Sequence, residues 1–234
     1  MSAIAPGTLV TASMLEAVPP CVRRYLGWSG VGGRHIPASV TLRQTGRMRS
    51  ANDRRWMRFT AEEDFLTGPP AFSWRARVSV AGVPLVRGWD SYVHGRGRMR
   101  IRLAHAMTLA DLTGEEMNRA SLLRYLSEMT WFPAAFLLAP VRWEEIDDRS
   151  ARVSITDSGL TATGTLSFGP DGRPLEFSAP RHRHLGRGRF SLEPWAAPFT
   201  GYGLVHGLRV PTAGAAEYRL AAGTVRYIEL RVAG

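Results

Sequence analysis

The chain has no lysine and one cysteine, Cys21. A single thiol excludes an internal disulfide and any multi-cysteine metal site. With no activating partner beside it in sequence, Cys21 reads as a small core residue rather than a nucleophile. Long hydrophobic runs are also missing. The longest, WFPAAFLLAPV at 131–141, is broken by two prolines and falls short of the roughly 20 residues that a membrane helix needs. The N-terminal stretch MSAIAPGTLVTASMLEAVPP has neither a basic segment nor a continuous apolar core, so no secretory signal is expected and a cytoplasmic address follows by default. There is no Gly-x-Ser-x-Gly elbow, phosphate loop, dinucleotide fingerprint or His-Glu-x-x-His pair. No organic cofactor is therefore expected.

What is present is an ordinary globular composition: 234 residues, 44% of them hydrophobic, with no low-complexity tract. One domain spanning 1–234 is expected. The net charge of +10 raises nucleic-acid binding as a question, because phosphate neutralisation needs clustered cations. The arginines are instead spread through strand-like segments. In GRGRMRIRLAH, Arg96, Arg98, Arg100 and Arg102 alternate with Met99, Ile101 and Leu103. On a strand that spacing puts the arginines on one face. A solvated outer sheet face is favoured over a polyanion stripe, since no arginine-rich tail, zinc finger or helix-turn-helix pattern accompanies it. No nucleic-acid partner is expected.

The periodicity divides the chain. After a loose segment, 1–17, the stretch PPCVRRYLGW predicts a short helix over 18–28, with Val22, Tyr25 and Leu26 on one face and SGVGG ending it. SVTLRQTGRMRS, RRWMRFTAEEDFL, AFSWRARVSVAG and VRGWDSYVHGRGRMRIRLA then alternate apolar with polar residues, separated by the turn signals SAND, TGPP and AGVP. They predict four antiparallel strands joined by hairpins. A second helix is predicted over 114–132, opened by a capping box of Thr113 and Glu116, with Leu122, Leu126 and Met129 on its apolar face and Pro133 as its stop. Strand rhythm then resumes to the C-terminus. FGPDGRPLEF marks a hairpin whose Asp171-Gly172 pair supplies positive φ angles. The fold class expected is α+β, mainly β: one curled antiparallel sheet, a half-barrel or open barrel, with a helix capping its cavity and a short N-terminal helix.

Within that architecture the segment RYLSEMTWFP supplies the first site candidates. Arg124 and Glu128 are four apart on one helix face, and Trp131 lies about one turn beyond. They read either as a pocket wall or as an exposed ion pair beside plain core. Asp90, Tyr92 and His94 in WDSYVHG share one strand face and form either an acid/base cluster or a solvent face. His182 and His184 have the spacing of two metal ligands, but no third ligand can be located by pattern, and no metal is expected. Trp195, Phe199 and Tyr202 fall in a proline- and glycine-rich segment read as a loop whose aromatics rim a pocket or staple the loop. Trp74 is counted with the binding aromatics.

The segments RFTAEEDF, FSWRARV, WDSYVHGRGRM, LLRYLSEMTWFPAAFL, VRWEEIDD, FGPDGRPLEFSAPRHR and PWAAPFTGYG follow in this order. Together they resemble an uncharacterised bacterial family of unknown function. The least confusable motif is the helix with Arg124, Tyr125, Glu128, Trp131 and Pro133 at the family's spacing. The resemblance implies a shape similar to the half-barrel of lipoprotein carriers, a curled sheet capped by helices around an apolar cavity. The chain departs from the pattern at Tyr218, where a tryptophan is expected, and in the less polar GYGLVHG.

The function expected first is a cytoplasmic, cofactor-independent enzyme of isomerase or cyclase type. Its substrate would be a hydrophobic small molecule, such as a polyketide-like secondary metabolite, because seven tryptophans and an all-arginine basic set favour rigid, shaped walls. Glu128 and Asp90 would move or polarise protons, Tyr92 and His182 would donate hydrogen bonds, and Trp131, Arg124, Trp74, Trp195 and Tyr202 would hold the substrate. The alternative is a non-catalytic carrier or binding protein for a lipid-like ligand.

Overall fold

The computed structural model describes residues 4–49, 55–80, 82–103, 107–186 and 188–234. Outside them lie the start of the N-terminal segment at 1–3, the turn expected at 50–53, Ala81 of the AGVP turn and the 104–105 end of the arginine-alternating stretch. The remainder of the N-terminal segment is not loose. It carries α1 (Ala12–Glu16), whose first turn is capped by the Thr11 hydroxyl accepting the Met14 N–H, and Leu9 bridges to His35. The second helix, α2 (Pro20–Ser29), buries Cys21, Val22, Tyr25 and Leu26 and stops at Gly30, which adopts the left-handed φ of 77°. Burial raises the Cys21 thiol's pKa, in keeping with a core role.

Among the described residues, thirteen strands form one antiparallel sheet. Six are laid down in succession toward one edge: β1 (Ser39–Met48), β2 (Met57–Thr67), β3 (Pro70–Val80), β4 (Val83–Val93), β5 (Arg96–Leu103) and β6 (Met107–Leu112). The chain then crosses to the opposite edge through α3 (Glu115–Glu128) and two 3-10 turns, Met129–Trp131 and Pro133–Leu137. It returns through β7 (Val141–Asp147), β8 (Ser150–Asp157), β9 (Leu160–Phe168), β10 (Pro174–Gly186), β11 (Arg189–Val205), β12 (Leu208–Leu220) and β13 (Gly223–Ala233). The last strand closes against β1.

The curl of the sheet can be read from one hydrogen bond. β4 and β8 stand nine places apart in the strand order, roughly 43 Å along a flat sheet at the usual strand spacing. Yet the Tyr92 hydroxyl donates to Asp157 Oδ2 over 2.7 Å. The sheet therefore bends back on itself, and the β4–β5 and β8–β9 turns meet at one end, where a Cβ on Gly95 would lie 2.7 Å from that of Ser158. α3 lies inside the curl, against β3, β4 and β5 on one side and β9 and β10 on the other. It touches β5 so closely at Gly97 that a Cβ there would sit 2.5 Å from Ser121 Oγ and 2.6 Å from the Met117 carbonyl.

Cross-strand register sorts the inward side chains of β1 to β5 into rungs, because residues directly opposite share a face. At the closed end stand Val40, Phe65, Phe72, Tyr92 and Gly97; next come Leu42, Glu63, Trp74, Asp90 and Met99. A rung of small residues follows, Ala61, Ala76 and Gly88 between Gln44 and Ile101. The fourth runs Gly46, Phe59, Val78, Val86 and Leu103 toward the open end.

Several expectations are corrected. The fourth strand-like stretch is two strands, because His94 and Gly95 take φ of 50° and 77° and make a tight turn. β6 is a further strand that the sequence pattern does not lead one to expect. The proposed capping box does not form: Gly114 occupies the N-cap, with no side-chain bond, so Thr113 stands one residue too early. α3 is buried on most sides, including Met117, Ala120, Leu123 and Tyr125, since it fills the curl and does not present one face to it. At the FGPDGRPLEF hairpin only Gly172 has positive φ, at 86°. The segment with Trp195, Phe199 and Tyr202 is strand β11 and not a loop. Its prolines fit because Pro194 stands opposite Pro180, leaving no N–H without an acceptor at that rung, and ladder irregularities around Gly201 absorb the rest.

Candidate functional site

Arg124 projects from α3 onto the second rung. Its three guanidinium nitrogens each hold a different carboxylate: Nη2 to Glu63 Oε1 at 2.7 Å, Nη1 to Asp90 Oδ2 at 2.7 Å, and Nε to Glu128 Oε1 at 2.9 Å. The guanidinium also lies over the rings of Phe72 and Trp74, 4.9 and 5.3 Å from their centroids. Trp74 is braced in turn, its Nε1 donating to Gln44 Oε1 at 2.9 Å, while Gln44 Nε2 donates to Glu63 Oε2 at 2.5 Å. Solvent barely reaches the group: side-chain exposure is 16% for Arg124, 0% for Glu63, 6% for Asp90 and 12% for Glu128.

One guanidinium facing three buried carboxylates leaves excess negative charge, which a low-dielectric interior resists. Burial, reinforced by the nearby Glu128 and Asp90 charges, lifts the Glu63 pKa well above the usual carboxylate range against the pull of Arg124. Burial likewise raises Glu128, against the pull of Arg124. Arg124 stays charged because the three carboxylates outweigh the desolvation that opposes its charge. A proton held between Glu63 and Glu128 satisfies this balance. It also supplies a donor for Glu128 Oε2, a buried atom without one among the described residues.

The shared proton sets a pH dependence. Because both pKa values are raised in the folded state, the native chain holds more protons than the unfolded chain above the ordinary carboxylate range. The pair's contribution is fully present below that range and is lost as pH rises through the folded values. Glu63→Gln replaces the shared proton with an amide hydrogen. The stability of the native chain minus that of Glu63→Gln, from urea unfolding, is therefore expected to fall over the interval in which pH rises above the ordinary carboxylate range. A difference that stays flat across that interval would place the proton elsewhere.

The sequence candidates separate into three groups. Arg124, Glu128, Asp90 and Trp74 come together in this cluster, with Tyr92 one rung away and fully buried, its hydroxyl engaged by Asp157. Trp131 packs edge-on against Phe65, ring centroids 6.3 Å apart, in the closed-end core. His94 is exposed in its turn, away from Asp90. His182 alternates with Arg181 on β10 and is not part of the Arg124 cluster; its carbonyl accepts from the Tyr218 hydroxyl. Tyr202 packs edge-on against Trp28 of α2, 5.6 Å between centroids, apart from the Arg124 cluster. Glu63 and Gln44 were missed. Their signal was present, since period two in RFTAEEDF puts Glu63 in line with Phe59, Ala61 and Phe65.

Across the interior from Arg124, β10 to β13 present a second group. Trp195 stands opposite Tyr218, and its Nε1 donates to the Tyr227 hydroxyl at 2.9 Å; Arg181 Nη1 donates to the same oxygen at 2.8 Å. Arg181 lies over Trp195 and Arg183 over Tyr218, at 5.0 and 5.7 Å. Burial pushes the Tyr218 hydroxyl up to about 12. Toward the open end the inward side chains are apolar; Phe59 and Val78 are buried and the ones around them are only partly covered. Met48 faces both Met57 and Ile228, and Val86 faces Leu103, all of them half-buried. The outer face is charged: Arg98 and Arg100 bind Asp111 of β6 at 2.7 and 3.1 Å, as expected for a solvated arginine face.

A model of a family of unknown function (DUF6544) matches residues 8–230. Among solved structures the chain is similar to a LolA-superfamily protein of Nitrosomonas europaea, at 11% identity and a TM-score of 0.43 over 97% of this chain and 93% of that one. It is also similar to a DUF1329 family protein of Desulfovibrio piger, at 11% identity and a TM-score of 0.49 over 97% of this chain and 92% of that one. No curated protein matches.

Proposed function

We propose that this chain, which belongs to the DUF6544 family of unknown function, binds a hydrophobic small molecule in the open end of its half-barrel and does not alter it chemically. The observation that carries this reading is the partly exposed apolar lining of Met48, Met57, Ile228, Val86 and Leu103 on the inward face. The part of such side chains that the protein leaves uncovered gains about 25 cal/mol per Å² when a ligand excludes water from it. The carboxylates first assigned to proton transfer support binding over catalysis. Asp90 and Glu128 each accept from Arg124, so both are held as parts of a buried ion cluster that shapes the floor.

The test is a titration of the purified chain with the neutral fluorescent probe N-phenyl-1-naphthylamine. Saturable binding at one probe per chain is expected, weakened about tenfold in Val86→Trp, whose indole occupies the open end, with the unfolding midpoint nearly unchanged. Binding of equal strength in Val86→Trp would move the ligand away from this lining. Recovery of a ligand chemically changed by the protein would restore the enzyme reading.

A further inference from the structure

The inner wall of β10 and β11 carries polar groups that the fold leaves unanswered. Arg181 and Arg183 project inward from alternate positions of β10, and Ser191 of β11 stands directly opposite Arg183. Among the described residues, Arg181 Nε, Arg183 Nε and Ser191 Oγ are all buried without a hydrogen-bond partner. Among the described residues neither arginine forms a salt bridge. Glu193, the cross-strand partner of Arg181, is not within ion-pair distance of it. The carboxylate whose charge acts on Arg181 is Asp90 across the interior, and Asp90 is already held by Arg124.

Buried donors without acceptors cost free energy, and two adjacent guanidiniums repel each other. Both penalties are relieved by one ligand group that carries negative charge and several acceptor oxygens. The neighbours hold the site in shape: Trp195 and Tyr218 fix the guanidinium planes. Tyr227 accepts from both Arg181 and Trp195, which leaves its own hydroxyl proton free to donate. The apolar lining lies on the same concave face. We infer that Arg181 and Arg183, with Ser191 and Tyr227, bind the anionic head group, carboxylate or phosphate monoester, of an amphiphile whose tail occupies the open end. This inference rests on the binding reading above and adds the chemistry of the ligand's polar end.

The experiment displaces N-phenyl-1-naphthylamine with four probes of equal tail length: dodecanoate, dodecyl phosphate, dodecanol and dodecylammonium. Both anions are expected to bind at least about tenfold more tightly than the alcohol, and the ammonium more weakly, as charge-assisted hydrogen bonds require. In Arg181→Gln/Arg183→Gln the anion preference is expected to vanish while dodecanol binds as before. Equal affinity of anions and alcohol for the native chain would overturn the head-group site and leave the apolar pocket standing. A preference that survives the double substitution would also overturn it. Failure of all four probes to bind would remove both readings together. Inorganic phosphate alone is expected not to displace the probe at these concentrations, and displacement by it would refute the amphiphile as the anion's source.

Discussion

Arg124→Leu is expected to lower the free energy of unfolding by about 3–5 kcal/mol at neutral pH, the usual cost of removing one partner from a buried ion pair. For a domain whose whole stability is on the order of 5–15 kcal/mol, that is about a fifth of the total or more. The substitution keeps an aliphatic stem but withdraws the one cation that Glu63, Asp90 and Glu128 share. It also removes the guanidinium stacked on Phe72 and Trp74. The penalty should shrink in acid, because protonated carboxylates need no counter-charge. Arg124→Lys should recover only part of the loss: an ammonium is a compact point charge and cannot reach three carboxylates from three nitrogens of a planar fork. Urea unfolding at neutral and mildly acidic pH checks both statements. A loss below about 1 kcal/mol at neutral pH, the range of an exposed pair, would mean that water reaches the cluster and that Arg124 is not the pivot of the interior.

Phe65→Ala is expected to cost about 3–5 kcal/mol, the range for deleting a buried aromatic ring. Phe65 is fully buried and touches four other rings, with centroids at 4.8 Å to Phe132, 6.2 Å to Tyr125, 6.3 Å to Trp131 and 6.4 Å to Phe72. These rings come from β3, α3 and the 3-10 turns that follow, so the void would open where the crossing connection docks on the sheet. The loss should appear in the unfolding midpoint and leave N-phenyl-1-naphthylamine affinity per folded molecule close to that of the native chain. If probe affinity collapses and stability holds, the closed end is a ligand cavity and not packed core, and the direction of the half-barrel is reversed.

Much of this arrangement is legible in a linear reading. Alternation in FTAEEDF, FSWRARV and WDSYV assigns Phe65, Trp74, Asp90 and Tyr92 to one face, because successive side chains on a strand point to opposite sides. The ordered motifs pointed to the family that residues 8–230 match. Arg124 and Glu128 were paired from their spacing alone, and they do pair. Glu63 was passed over because a carboxylate in a charged run, EED, reads as solvent-facing until its neighbours Ala61 and Phe65 are counted on the same face. Only the EPWAAPFTGYG part of β11 reads as a loop, because local proline and glycine signals do not reveal that its partner strand also lacks an N–H at the same rung.

Sequence by itself determined the local terms: strand period, the α2 stop at Gly30 and the inward side of β2, β3 and β4, whereas α3 ends at Glu128, short of the expected stop at Pro133. These depend on neighbours a few residues away, where backbone sterics and side-chain alternation act. Only the tertiary structure decided what those inward sides meet. Arg124 finds Glu63 across 61 positions and Asp90 across 34, and Tyr92 reaches Asp157 because the sheet curls. Arg181 and Arg183 become a potential binding wall only when β10 is set beside Ser191 and the apolar open end. Curl is the sum of small twists over thirteen strands. No single segment encodes that sum, so the meeting of distant charges in a buried interior is decided by the fold as a whole.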